Sequence, residues 1–351
     1  MHIHYSRRQF ILRSGTAVIG TALPLSAADQ FTQGMKTIQL IQATQSMKTI
    51  THYEVIIIGG SYSGLAAAMA LGRAMRRVLV IDSGMPCNRQ TPRSHNFLTQ
   101  DGTSPNDIAA LARLQVAAYS TVEFSNDLVV HGTQTPQGFD IQTQSGMLFT
   151  AQKLIMATGI QDRMPPIIGF SECWGKSVLH CPYCHGYEVR NKRTGIIGNG
   201  DSGYEMAKLI HHWTSESIIF TQGNGSFTTE QWAALDRHSI KVDERKIAAI
   251  EHTGGYAQSV RFEGGEAMKI SVLYSRLPFT QQCNLPQELG CVLTEDGYIS
   301  VDAMQRTTIP GLYACGDNSS RMRTVAGAIA TGTTAGMMLN KELIEEQFTT
   351  F

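Results

Sequence analysis

His52-Tyr53-Glu54-Val55-Ile56-Ile57-Ile58-Gly59-Gly60-Ser61-Tyr62-Ser63-Gly64 opens a stretch that closes on Val78-Leu79-Val80-Ile81-Asp82. Val55 to Ile58 is a short, wholly apolar β-branched run, as a parallel strand buried on both faces requires. A glycine-rich turn follows, then an Ala- and Leu-rich helix, then a second apolar strand ending in an acid. That order predicts a βαβ unit with a pyrophosphate at the helix N-terminus and Asp82 on a ribose hydroxyl. Ser61 stands where G-x-G-x-x-G has its second glycine, and its small side chain still lets the backbone approach a phosphate. Gly59, Ser61, Tyr62, Ser63, Gly64 and Asp82 are the candidate cofactor residues.

The design recurs about 140 residues later. Thr194 to Ile197 reads as a strand, Gly198-Asn199-Gly200-Asp201-Ser202-Gly203 is a complete G-x-G-x-x-G, and Tyr204 to Trp213 reads as a helix before the strand Ser217 to Phe220. Gly198, Gly200, Asp201, Ser202 and Gly203 are therefore candidates for NAD(P)H. An NAD site places an acid after the second strand, and an NADP site a base. Thr221 to Ser226 offers neither, so nicotinamide use itself stays open. Near the C-terminus a strand Gly311 to Ala314 leads into Cys315-Gly316-Asp317 and a helix from about Arg323. An acid beside a glycine at a strand end suits a flavin's ribityl or phosphate portion. A helix N-terminus (Arg323, Thr324, Val325) suits its ring carbonyls.

The 351 residues allow two domains, and 29 basic against 29 acidic side chains give no support to nucleic-acid or anionic-membrane binding. No apolar run reaches the roughly 18 to 20 residues of a membrane span. Ser6-Arg7-Arg8-Gln9-Phe10-Ile11, an apolar stretch and Ser26-Ala27-Ala28 resemble a twin-arginine signal peptide, which predicts a periplasmic protein. The repeated Met-Lys-Thr-Ile at Met35 and Met47 offers a second start, and translation from Met47 predicts a cytoplasmic one. Residues 1–46 are excluded from the fold on either reading.

Of seven cysteines, only Cys181 and Cys184 have a spacing with chemical meaning, and Cys87, Cys173, Cys283, Cys291 and Cys315 read as small core residues. His180-Cys181-Pro182-Tyr183-Cys184-His185 admits a redox dithiol, a c-type haem attachment through C-x-x-C-H, a zinc site or a structural disulfide. Haem attachment requires an unfolded exported chain, whereas a twin-arginine signal carries a folded one. His180 and His185 flank the pair too tightly to close one zinc tetrahedron with it, so no metal is expected. A structural disulfide is weakened by the flavin context. The dithiol is the reading the flanking dinucleotide units favour, with Cys184 expected to carry the lowered thiol pKa and His185 to act as general acid or base.

Together these motifs, from about Tyr53 to Leu343, resemble the low-molecular-weight thioredoxin reductases of the flavin-dependent disulfide oxidoreductases. They comprise Gly59 to Gly64, Ala157-Thr158-Gly159, the C-x-x-C before the second unit, and Gly316-Asp317. The resemblance implies an α/β fold of two Rossmann-like domains, the second inserted into the first: an FAD domain from 50–163 and 277–351, and an NAD(P)-like domain over 164–276 carrying the dithiol. It implies FAD held by the first-unit residues with Ala157, Thr158, Gly159, Gly316, Asp317, Arg323, Thr324 and Val325. It also implies a homodimer, with Cys184 facing the flavin and Cys181 exchanging with a thioredoxin-like protein or small disulfide. His185 replaces the family's usual acid, and Cys-His-Gly-Tyr-Glu is closer to the enzymes that form the gliotoxin and holomycin disulfides. Two directions of electron flow follow: from NAD(P)H through FAD to a disulfide, or from a dithiol through FAD to oxygen.

Overall fold

The computed structural model describes residues Ile50–Thr349, so the expected leader lies outside the described residues. The chain begins with β1 (Thr51–Ile58), α1 (Tyr62–Arg73), β2 (Val78–Asp82), α2 (Pro105–Ala117) and β3 (Val122–Asn126). β4 (Val129–Thr135), β5 (Gly138–Thr143), β6 (Leu148–Met156) and β7 (Ile160–Asp162) follow. Next come α3 (Phe170–Cys173), β8 (Val178–Leu179), α4 (Pro182–His185), β9 (Thr194–Ile197), α5 (Gly200–Ile210), β10 (Ser217–Phe220), α6 (Thr229–Arg237) and β11 (Lys241–Asp243). β12 (Ile247–Thr253), β13 (Tyr256–Phe262), β14 (Ala267–Lys269), β15 (Val272–Ser275) and β16 (Phe279–Gln281) precede α7 (Leu285–Glu288), β17 (Leu312–Ala314) and α8 (Val325–Thr349).

Among the described residues, β3-β2-β1-β6-β5-β4 form one sheet in that order, and β17 joins it beside β6. β1 pairs in parallel with β2 and β6, which makes it a central strand and accounts for its unbroken apolar run. Pleating divides that run between two cores. Val55 and Ile57 pack with α1 and α8 on one face, while Ile56 and Ile58 pack with Phe139 and Ile141 on the other. α8 crosses α1 through glycines. A Cβ on Gly332 would lie 2.1 Å from the Ser63 carbonyl oxygen, and one on Gly336 2.7 Å from that of Ala67.

The second sheet runs β11-β10-β9-β15-β8, all parallel, and β12-β13-β14 form an antiparallel sheet of their own. The chain leaves the first sheet after β7 and returns through β16, and these two short strands pair with each other. Two helices differ from their expected bounds. α5 starts at Gly200 because Asn199 takes the N-cap position, so the glycine motif itself forms the first turn. α8 starts at Val325, because the Thr324 hydroxyl accepts the Gly327 amide at 3.0 Å and ends the preceding loop. Among the described residues no helix is long and apolar enough to cross a membrane.

Candidate active site

The first glycine turn is forced by close approach. Gly59 has φ +105°, and a Cβ there would lie 2.2 Å from the Ala157 carbonyl oxygen. One on Gly64 would meet the Gly59 oxygen at 1.9 Å, so the turn closes against the start of its own helix. Ser61 caps α1 without a side-chain hydrogen bond, and no acid stands in the first turn. The helix N-terminus is therefore open to an anion.

Two adjoining clefts of about 980 and 1110 Å³ run from this turn and share Ser61, Met85, Pro86, Ala157, Thr158 and Gln282. One end reaches Gly59, Asp82 and Arg113; the other reaches Trp174, His180 and His185. Tyr62, Ser63, Gly159, Asp317, Arg323, Thr324 and Val325 line the second end with them. Gly316 serves by packing: at φ +84°, a Cβ would lie 2.5 Å from Ser63 Oγ, which brings the C-terminal signature against the first cradle. A long cleft with an open helix N-terminus midway, an acid at one end and apolar rings at the other fits FAD. The residues named for it from sequence gather there.

Arg323 and Asp162 form a two-pronged pair at 2.9 and 2.8 Å, with side chains only 15% and 6% exposed. Burial opposes the Arg323 charge, but the Asp162 partner outweighs it and raises the guanidinium's pKa. Asp317 is raised by burial, although Arg323 Nε approaches its carboxylate at 3.7 Å. Cys87 is not a core residue as expected. It opens onto the cleft with its sulfur 3.7 Å from Asp317 Oδ2, and burial together with that acid pushes the thiol up to about 12. Cys283 is also only partly buried, whereas Cys173, Cys291 and Cys315 are core residues. The loop after β2 must pass the first cradle, and that was the available signal for Cys87.

Cys181 and Cys184 are both free thiols, the first just before the turn α4 and the second within it. Cys181 is its N-cap, and its sulfur accepts the Cys184 amide at 3.2 Å. Gly186 ends the turn, since a Cβ there would lie 2.5 Å from the Pro182 oxygen and 2.9 Å from Trp213 Nε1. His180 and His185 line the cleft; Cys181 is within electrostatic reach of Arg323, and Cys184 of Asp317.

The thiol pKa values reverse the expectation for this dithiol form. A hydrogen bond from Cys184, helped by main-chain amides of Cys184 and Tyr183 and by Arg323, draws Cys181 down to about 7 against the effect of burial. Cys184, which donates that bond and is itself partly buried, is pushed far above the ordinary thiol range. The cap position favours the first cysteine of the pair, not the second. Burial, then His95, lowers His185 to about 4, and burial, then Arg323, lowers His180 to about 4. Both imidazoles are neutral near pH 7.

The second glycine motif turns differently, with positive φ at Gly200 and the N-cap at Asn199, and it is bridged by its own chain. Asn199 Oδ1 accepts the amides of Gly200 and Ser226, both at 2.8 Å, and its Nδ2 donates to the Thr221 and Asn224 carbonyls. Asp201 lies in the first turn, held by Gln231 Nε2 at 2.8 Å. A pyrophosphate would have to displace Asn199 and meet a carboxylate.

Residues 53–332 match the pyridine nucleotide-disulphide oxidoreductase family. The chain is 29% identical over 311 residues to a thioredoxin reductase, tcpT, of Claviceps purpurea, covering 86% of this chain and 97% of that one. The fold superposes on a putative thioredoxin reductase, TrxB, from Bacillus anthracis with a TM-score of 0.80 at 28% identity, covering 84% and 99% of the two chains. It superposes equally on HlmI, with a TM-score of 0.80 at 29% identity and coverage of 85% and 95%. With an FAD-shaped cleft beside a paired dithiol, the chain belongs to the pyridine nucleotide-disulphide oxidoreductases, as a thioredoxin reductase-like flavoenzyme acting on disulfides.

Proposed function

We propose that electrons enter this enzyme from a dithiol substrate, pass through the Cys181–Cys184 pair to FAD, and leave to oxygen. The product is a disulfide in a small molecule or a protein. The observation that carries this direction is the Asn199–Ser226 closure of the second cradle, which leaves the cysteine pair as the entry. FAD supplies a two-electron acceptor. The chain supplies the rest: Cys181, near its thiolate form at neutral pH, exchanges with substrate sulfur, while Cys184 holds the partner proton. His185 is the neighbouring acid or base. The complete G-x-G-x-x-G at Gly198 favours a second reading, in which NAD(P)H reduces FAD and the dithiol then reduces a thioredoxin-like protein or small disulfide.

Anaerobic mixing separates them. Loss of the oxidised flavin band with dithiothreitol but not NADPH or NADH, and peroxide on readmitting air, supports dithiol oxidation. Rapid bleaching by NADPH supports the reductase. Cys181→Ser with either activity intact rules out both.

The domain division at 163/164 and 276/277, a homodimer and a periplasmic address belong to the same reading. An apolar groove lined by Leu65, Met69, Phe97, Ile108, Leu111 and Ile329 beside the exposed Leu98 favours a second copy as its occupant. Light scattering at twice the chain mass tests it. Cell fractionation with Arg7 and Arg8 replaced by Lys tests export.

A further inference from the structure

His95 was not singled out by any motif, yet the fold brings it to the redox pair. It belongs to the loop between β2 and α2, whereas His185 and Glu188 follow the second cysteine. The His95 and His185 rings meet edge to face with centroids 6.4 Å apart. His95 Nδ1 lies 3.6 Å from Glu188 Oε1 and 3.5 Å from Asp101 Oδ1, has no hydrogen-bond partner and is cut off from solvent. Exposure rises along this line. The His95 side chain is 17% exposed, that of Glu188 40% and that of Asp101 68%. An unmet ring nitrogen between two carboxylates, facing a histidine that lines the cleft, is costly as mere packing.

We infer that His95 is the second member of a proton path running from Cys184 through His185 and His95 to Glu188 or Asp101 and out to water. The inference rests on the reading that FAD oxidises the dithiol in this cleft. Closing the Cys181–Cys184 disulfide breaks the Cys184 S–H bond and forms the S–S bond. The electron pair goes to FAD. With Cys181 as thiolate, the Cys184 proton is the one that must move, either onto the cofactor or outward; Asp317 is the carboxylate within electrostatic reach of Cys184, and His185, the next residue of α4, lines the cleft and leads to His95. The 6.4 Å ring separation leaves a gap that one water or a ring rotation spans. A low proton affinity at His185 suits a group that passes protons on rather than stores them. The charged and titratable groups facing His95 are Asp101 on its own loop, and Glu188 and His185 on the cysteine segment. Acting through His185, His95 is a positioning and relay residue.

The test is stopped-flow bleaching of the FAD-loaded protein by dithiothreitol without oxygen. His95→Gln is expected to slow bleaching at least about tenfold, the lower range for a lost proton-transfer group. Added imidazole is expected to restore the rate, with FAD content, the flavin spectrum and the Cys181 alkylation midpoint unchanged. A wild-type rate in H95Q overturns the path, and so does a loss that imidazole does not restore. The double variant Glu188→Gln with Asp101→Asn leaves both imidazoles in place at half-exposed and exposed positions. It is expected to slow the same step and enlarge its solvent deuterium isotope effect; no change in either overturns the outlet. Failure of the FAD reading would show separately, as a wild-type protein purified without flavin that does not take it up.

Discussion

Asn199 Oδ1 accepts the amide of Ser226 at 2.8 Å, and this bond separates two glycine turns that look alike in sequence. In the first turn Ser61 makes no such bond and the helix end stays open. The expected consequence is that calorimetric titration of the FAD-loaded enzyme with NADPH gives no binding heat. Asn199→Ala removes the bridge and a helix cap, at a cost of about 1 kcal/mol in stability. A clear binding isotherm in the unaltered protein would contradict the closure.

The Cys181 thiol should be alkylated by iodoacetamide with a midpoint near pH 7, below that of an ordinary protein thiol. Because its pKa is lowered, the thiolate is present above the midpoint and lost as pH falls through it. Cys184→Ala deletes the Cys184 hydrogen bond, the largest effect lowering the thiol, and should move the midpoint upward. Peptide mapping of the labelled site checks that Cys181 is the residue modified.

Asp162→Asn leaves the Arg323 guanidinium in the cleft without its carboxylate. Breaking one side of a buried pair costs about 3 kcal/mol, so thermal unfolding should shift down clearly. FAD retention should fall as well, since Arg323 leads into the α8 terminus that lines the cleft. An unchanged melting temperature would show the pair to be incidental.

Gly332→Val should be still more damaging to cofactor retention than to helix content. The added Cβ meets the Ser63 carbonyl at 2.1 Å and must push α8 away from α1, an overpacking cost of about 1–3 kcal/mol. The measurement is flavin content after gel filtration alongside far-ultraviolet circular dichroism.

Much of this architecture is legible along the chain because local chemistry and global position agree. Val55 to Ile58 is apolar on both faces because β1 is central, and the glycines beside it are required by contacts within a few residues or with one neighbouring strand. Thr194 to Ile197 and Ser217 to Phe220 obey the same logic and appear with the expected bounds. What escaped was set by distance in the sequence. His95 meets His185 only after β2 and the inserted segment are packed together, and Cys87 finds Asp317 across most of the chain. The thiol assignment failed for another reason: which cysteine caps α4 depends on backbone geometry, and C-x-x-C spacing is blind to it. Asn199 looked like the variable letter of a motif, and only the returning loop shows that it fills the turn.

The pairing of β17 with β6 places residues 312–314 beside 154–156, deep in the first sheet. During synthesis that slot must wait, exposed, until residues 312–314 have left the ribosome. Gly316 and Asp317 arrive with the same strand and complete the wall against Ser63. Cofactor capture is thereby tied to synthesis of residues 312–317. A nascent chain stalled before residue 312 should have a finished dinucleotide turn and no hold on flavin, so yellow colour reports synthesis past β17 as well as folding.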